Sequence, residues 1–471
     1  MNERDARHIS SDFQGAFDVP AYARAVLKAL EDAGFEAWLV GGFVRDRLMG
    51  RQGNDIDLAT NADWRTVKSA CEAASMRVHE TGTAHGTVTI CPFPDDPRTI
   101  EVTTFRQDGS YRDSRHPEEV EFVDSIVTDL ARRDFTVNAM AFHPERGLVD
   151  PFGGIDDLRR RVLRCVGDPR RRFTEDALRI LRGCRFRSQL GFEIDSDTRL
   201  AMSTHKHLLY RISAERIRSE LDGFVLGEHV HDALLDVFDV LAFVLPEITA
   251  MKNCEQNTKY HIYDVLEHTA FVMQHAPADL TVRWAALCHD MGKPPASFRG
   301  EDGVSHFYEH PKLSVALARP MLERLKTSPR FVDDVALLVR YHDHVVARSR
   351  KSIHRMMAKL QDRNDLFRGL CHLKVADSMA QAPEYHQRAR DAALLLEAFN
   401  ELQEQGEPFS VKDLAINGHD VIERGVPAGP SVGALLNRLF LEVSEGSVKN
   451  ERDDLLARLE ELTTLESQPL S

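Results

Sequence analysis

Residues 36–60 read EAWLVGGFVRDRLMGRQGNDIDLAT, and their pattern decides the first folding unit. EAWLV is a short apolar run that reads as a buried strand and ends in Gly41 and Gly42. FVRDRLM carries helical spacing, GRQGND is a polar turn, and IDLAT returns to a strand. Upstream, Asp18 and Pro20 open a helix over AYARAVLKALEDAGF. Downstream, GTVTI, RTIEVTTFR and VEFVDS add strands, so a small mixed sheet is predicted over residues 35–150. From residue 155 onward strand signals give way to helical periodicity, as in EDALRILRGCRF and HDALLDVFDVLAFVLPEI. The predicted class is therefore α+β, a mixed-sheet head followed by helices. Breaks at PEITAMKNCEQNTKYH and QEQGEPFS divide the helical part, giving expected units at 18–150, 151–252, 253–385 and 386–471.

Asp55 and Asp57 alternate with Ile56 and Leu58, so an extended backbone projects both carboxylates from one face and both apolar side chains from the other. Such a pair repels itself unless a cation neutralises it. Two Mg²⁺ held there would activate a 3′-hydroxyl and steady a leaving pyrophosphate, whereas an isolated pair of this kind also suits a solvated strand edge. Glu101, alternating within TIEVTTF, is the candidate third carboxylate. Gly41 and Gly42 lie where backbone N–H groups can approach a phosphate at a helix start, though a plain tight turn uses the same residues. Arg45 and Asp46 follow on that helix and set a cation beside the site.

The chain has 471 residues, 42% hydrophobic and 28% charged, with no apolar run approaching the roughly 20 residues of a membrane span. The polar start MNERDARHISSDFQG carries no apolar signal region, so a cytoplasmic location is expected. Seven scattered cysteines without a CxxC pair argue against a disulfide framework or a thiolate zinc site. The net charge of −14 disfavours nucleic acid, yet eleven arginines fall between residues 159 and 187 while acidic residues dominate the tail. Local sign, not the sum, matters for a polyanionic partner.

Five ordered blocks over about 180 residues then carry a resemblance: LVGGFVRDRLMG with NDIDLAT, ARRDFTVNAMAF, DPFGGIDDL, FTEDALRILRGCRF and SAERIRSEL. They resemble class II tRNA nucleotidyltransferases and bacterial poly(A) polymerases, members of the polymerase-β-like nucleotidyltransferase superfamily. The resemblance implies CTP and ATP as substrates, tRNA as partner and Mg²⁺ on Asp55 and Asp57. It implies nucleotide binding by Gly41, Gly42, Arg45, Asp46, Arg133, Glu175, Asp176, Arg179, Arg182 and Arg185, with Asp134 and Asn138 near the ribose. Asp176, Arg179 and Arg182 are spaced by three, which on one helix would place them on one face. Cytosine and adenine each show an amino donor beside a ring-nitrogen acceptor, which an Asp acceptor flanked by an Arg donor matches. Uracil and guanine meet the same pair donor to donor and acceptor to acceptor, the kind of mismatch that discriminates on the order of 10⁴-fold. The polar stretch FRQDGSYRDSRHPEEV (105–120), with Arg112 and Arg115, resembles the loop that lets family members switch from CTP to ATP.

A second constellation follows. DVLEHTA, ALCHDMGKPPASF, HFYEHP, VRYHDH and KVADSMAQAP present His268, His289, Asp290, His310, His342 and Asp377 on predicted helices. The order H…HD…H…H…D resembles an HD-type metal phosphohydrolase, with His268, His289, Asp290 and Asp377 as ligands and His310 and His342 as further candidates. Imidazole and carboxylate together suit a transition metal such as Ni²⁺ or Mn²⁺. By resemblance such a domain removes 2′,3′-cyclic phosphate or 2′-phosphate from RNA ends, with Lys293 placed to hold the phosphate. A helical domain kept for packing and tRNA contact is the alternative. Alternatives for the whole chain are a poly(A) polymerase or A-adding enzyme, and a phosphohydrolase whose head only binds RNA. A monomer or a homodimer is equally compatible with the sequence.

Overall fold

The computed structural model describes residues 17–53, 55–93, 95–108, 120–301 and 303–466; Arg112 and Arg115 lie outside the described residues. The chain forms two compact units, one ending at Pro246 and the other beginning at Glu247.

The first unit is built on the stretch quoted above. Helix α1 (Ala21–Asp32) buries Tyr22, Val26, Leu27 and Leu30 at helical spacing against the sheet core. Strand β1 (Ala37–Val40) is buried along its whole length, α2 spans Gly42–Leu48, and β2 covers Ile56–Thr60. Helix α3 (Trp64–Ala73) starts at Asp63, whose carboxylate accepts from the N–H groups of Arg65 and Thr66. Strands β3 (Arg77–Gly82), β4 (Thr87–Cys91) and β5 (Ile100–Thr104) follow. The short pair β6 (Arg106–Asp108) and β7 (Val120–Phe122) stands apart, before α4 (Ile126–Ala131), β8 (Ala141–His143) and β9 (Gly147–Val149). The main sheet runs β3-β4-β5-β2-β1-β8-β9. Strand β2 pairs antiparallel with β1 and parallel with β5, setting Asp57 beside Glu101. Ile56 and Leu58 are fully buried on the core face, which turns Asp57 to the other face.

Helices α5 (Gly154–Arg160), α6 (Pro169–Glu175), α7 (Leu178–Leu190), α8 (Ser196–His205) and α9 (Ala214–Val225), with two more at Val230–Asp236 and Phe238–Val244, make up the rest of the first unit's α-helical part. Strand does not vanish there, because β10 (Val162–Leu163) pairs parallel with β11 (Glu193–Ile194).

The second unit is helical apart from the hairpin of β12 (Phe298–Arg299) and β13 (Ser305–His306). Its last helices enclose a core of their own around Ile416, Val421, Leu439, Leu455, Leu459 and Leu462. All seven cysteines are unbridged, and no helix among the described residues is long and apolar enough to cross a membrane.

Candidate active site

A cleft of about 780 Å³ opens over the glycine turn of the first unit, lined by Gly41, Gly42, Arg45, Asp46, Asp55, Asp57, Arg133, Asp134, Asn138, Asp176, Arg179, Arg182 and Arg185. Glu101 and Glu175 do not line it. Glu101 is the register partner of Asp57 one strand away, and Glu175 closes α6, where it takes Arg172 at 3.0 Å and Arg179 at 3.1 Å. Asp55 lies just before β2 and is exposed, whereas Asp57 is half-buried within the strand. Burial first, then the neighbouring charge of Asp55, push the Asp57 carboxyl up to about 6, Glu101 adding to this and Arg133 opposing it. A carboxylate held that way favours a bound cation, so the donors fit Mg²⁺.

The cleft wall is a hydrogen-bonded chain. Arg182 Nε donates to Asp134 at 2.6 Å, Asn138 Nδ2 donates to Asp134 at 3.4 Å, and Arg45 Nη1 donates to Asn138 Oδ1 at 2.7 Å. Burial works against the Asp134 anion, but the Arg182 guanidinium outweighs it and holds this carboxyl at about 2. Arg45, Arg182 and Arg185 also stand 5.3, 5.5 and 4.4 Å from the ring of buried Phe186. Phe186 was not among the predicted residues, although its spacing of four from Arg182 on α7 was a readable signal.

Asp176 departs from expectation. It is not on the helix of Arg179 and Arg182, because the backbone is extended there (φ −138°, ψ 105°) between α6 and α7. The physical reason is local: its Oδ1 accepts from the Leu178 N–H at 3.0 Å, an Asx-type bond that competes with helix continuation. Oδ2 faces Arg216 at 3.4 Å, and Arg179 is held by Glu175 and by the Arg132 carbonyl at 2.9 Å. Asp176 and Arg179 thus share the cleft without their side chains bonding each other, the Arg179 N–H donating to the Asp176 carbonyl at 3.1 Å.

Sequence reading also missed the anchor of the arginines. Asp129, 1% exposed, takes Arg132 at 2.8 Å and Arg133 at 3.3 Å. Asp129→Ala would leave both guanidiniums without this anion, so a loss of about 3 kcal/mol is expected. A lowered melting temperature would show it, and an unchanged one would mean the pairs contribute nothing.

A second cleft, of about 400 Å³, lies in the second unit. His268 is on the helix Val265–His275 and Asp377 on Asn364–Met379, but the other ligand candidates sit at helix ends rather than within helices. His289 and Asp290 follow Leu280–Cys288, His310 begins His310–Arg324, and His342 follows Pro329–Tyr341. Their ligand atoms form two groups, His268, His289 and Asp377, and Asp290, His310 and His342. Asp290 joins the groups, with Oδ2 3.1 Å from His289 Nε2 and Oδ1 3.4 Å from His310 Nε2. The Nδ1 atoms of His268, His289, His310 and His342 each face a backbone carbonyl, at 3.3, 2.7, 3.0 and 2.8 Å. That contact assigns the proton to Nδ1 and leaves four Nε2 lone pairs turned inward, as metal ligation requires. Burial, then His289 and His310, bring His342 down to about 3, keeping that ring neutral. Asp290 is buried, and its Oδ1 has only the imidazoles of His310 and His342 nearby, at 3.4 and 3.9 Å. A buried carboxylate among inward lone pairs fits divalent cations. Lys293 stands 2.7 Å from Asp290 Oδ2 and donates to Gln256 at 2.6 Å, so it is tied into the cluster.

Comparison with known proteins places these features. A family model described as "Poly A polymerase head domain" matches residues 37–164, and one described as "Probable RNA and SrmB- binding site of polymerase A" matches 191–252. A model for tRNA nucleotidyltransferase domain 2 matches 305–459. The sheet, cleft and head match define a nucleotidyltransferase. The CCA-adding enzyme of Levilactobacillus brevis is 33% identical over 92% of this chain and 96% of its own, and that of Geobacillus stearothermophilus is 33% identical over 93% and 96%. A crystal structure of the Bacillus stearothermophilus CCA-adding enzyme in complex with CTP superposes with a TM-score of 0.67 at 28% identity, covering 97% of this chain and 99% of that one. The chain belongs to the CCA-adding enzyme family.

Proposed function

We propose that the chain adds C, C and A to the 3′ ends of tRNA without a nucleic-acid template, using CTP and ATP in the first cleft. The observation that carries this reading is Asp57, strained upward by burial and Asp55, beside a glycine turn in an arginine-walled cleft. Mg²⁺ held by Asp55 and Asp57 would lower the barrier by neutralising the reacting oxygens. The remaining work belongs to the chain. Gly41 and Gly42 bring backbone to the triphosphate, Arg45 and Arg133 hold its charge, and Asp134 with Asn138 meets the ribose. The 3′-hydroxyl oxygen bonds to the α-phosphorus, pyrophosphate departs, and the hydroxyl proton goes to solvent. Asp176 and Arg179 both line the cleft with side chains that do not bond each other, and they would meet the polar edge of the base. Full-length similarity to CCA-adding enzymes, one of them crystallised with CTP, supports this over a poly(A) polymerase. Incubation with CTP, ATP, Mg²⁺ and tRNA lacking its last three residues should yield ends that sequence as CCA. Long A tails, or no extension, would overturn the reading.

Gly41 adopts φ +71°, and a Cβ there would stand 3.0 Å from Arg133 Nη1. Gly41→Ala is therefore expected to raise the KM for CTP about tenfold, from a backbone cost of roughly 1–2 kcal/mol. Steady-state incorporation measures this; an unchanged KM would make the turn merely structural.

The second cleft is proposed as a metal-dependent phosphohydrolase acting on 2′,3′-cyclic or 2′-phosphate RNA ends, supported by the four inward Nε2 atoms and the joining Asp290. In the cyclic case water bonds to phosphorus, one ring P–O bond breaks, and the freed 2′ or 3′ oxygen leaves protonated. A transition metal such as Ni²⁺ or Mn²⁺ would supply an acidified water. The two sites together would trim and then extend one RNA end.

A further inference from the structure

Three aromatic rings cluster beside the second cleft, with Phe298 also standing 5.6 Å from Tyr308 at an interplanar angle of 39°. Phe298 stacks on His306 with centroids 5.1 Å apart and planes 24° apart, and His306 stacks on Tyr308 at 5.5 Å and 15°. Phe298 is 49% exposed and Tyr308 68% exposed, an unusual amount of stacked aromatic surface to leave in water. The group is held in place: β12 and β13 pair Phe298 with His306, and the Ser305 N–H donates to the Asn257 carbonyl at 3.0 Å. It also leads directly into the metal cluster. Tyr308 lines the cleft, Glu309 turns the chain at φ +57°, and His310 contributes its Nε2. The carbonyl of Phe307, just before Tyr308, accepts from His310 Nδ1. Arg388, 4.6 Å over the Tyr260 ring, supplies an exposed guanidinium on the lining of the same cleft.

We propose that Phe298, His306 and Tyr308 form a stacking platform that captures the terminal bases of single-stranded RNA and feeds the end phosphate to the histidine and aspartate cluster. The proposal rests on the phosphohydrolase reading of that cluster and names its substrate class: an oligoribonucleotide end rather than a free nucleotide. A cleft of about 400 Å³ takes little more than one nucleotide, so the rest of the strand must lie outside, where the rings are. Every base offers a π-face, which makes such a platform tolerant of sequence, while Arg388 complements a phosphodiester charge. A single hairpin of three rings is small against the roughly 1,000 Å² that a stable protein partner needs.

The test uses the full-length protein with Mn²⁺ and a short ribo-oligonucleotide ending in 2-aminopurine with a 2′,3′-cyclic phosphate. Tyr308→Ala should raise the KM for its hydrolysis about tenfold with kcat nearly unchanged, and should abolish the quenching of 2-aminopurine fluorescence on binding. Tyr308→Phe should restore both, and CTP incorporation should not change. Phe298→Ala, farther from the ligand His310, should weaken binding in the same sense and serves if Tyr308→Ala misfolds. Wild-type KM and quenching in both alanine variants would overturn the platform while leaving the phosphohydrolase standing. Quenching that depends on Tyr308 without any hydrolysis by the wild type would leave the platform standing and remove the phosphohydrolase. A change in self-association with RNA binding intact would assign the rings to a protein contact and overturn the proposal.

Discussion

Asp57→Ala is expected to cut nucleotide addition to tRNA by at least about a thousandfold while leaving hydrolysis at the second site intact. Asp57 is the one carboxylate of the cleft that the sheet itself orients, because Ile56 and Leu58 on either side are locked into the core. Its partner Asp55 is exposed and sits before the strand, so Asp55→Ala should give a loss in the same direction from a less constrained position. The effect is separable from misfolding. Burial, Asp55 and Glu101 raise the Asp57 pKa above the ordinary carboxylate value, so ionising it costs folding stability as pH rises through about 6. At neutral pH the alanine variant should therefore melt no lower than the parent. Glu101, one strand away and outside the cleft lining, raises that pKa only through space, and Glu101→Gln should reduce addition far less. Extension that survived in the Asp55, Asp57 double variant would remove the metal assignment.

Much of this site was legible because strand and helix periods translate directly into faces. Gly41 to Leu58 could be placed from alternation and glycine chemistry alone, and the arginines of α7 from their spacing of three. What escaped reading depends on local competition and on distant partners. Asp176 was assigned to a helix face, but a side-chain bond to the Leu178 N–H breaks the helix there, and spacing counts cannot see such a bond. Asp129 is not singled out by any pattern in the sequence, and only the fold brings Arg132 and Arg133 onto it. In the second unit the ligand types were readable in order, yet His289, His310 and His342 proved to sit at helix ends, where each Nδ1 reaches a carbonyl of the last turn or the preceding loop. That geometry, which fixes which nitrogen faces inward, has no counterpart in a motif.

The same geometry sets the second large effect. Asp290→Asn is expected to reduce phosphohydrolysis by roughly a thousandfold and to lower the bound transition metal, with CCA addition unaffected. Asp290 is 1% exposed, and its two oxygens point to different ligand groups. Burial disfavours its charge, but His289 and Lys293 outweigh that and hold the carboxyl well below the usual range, so the anion is present throughout the working pH. Asparagine keeps the volume and removes the charge, and one of its two oxygen donors becomes an amide nitrogen that cannot ligate. Loss at a single peripheral histidine would spare the other ligand group; loss at Asp290 touches both. Chelation should lower the melting temperature of the wild type and leave that of Asp290→Asn nearly unmoved, because only a protein that binds metal when folded gains stability from it. Full metal content in the variant, measured by elemental analysis, would mean that Asp290 is held for packing and that the two histidine groups do not act as one site.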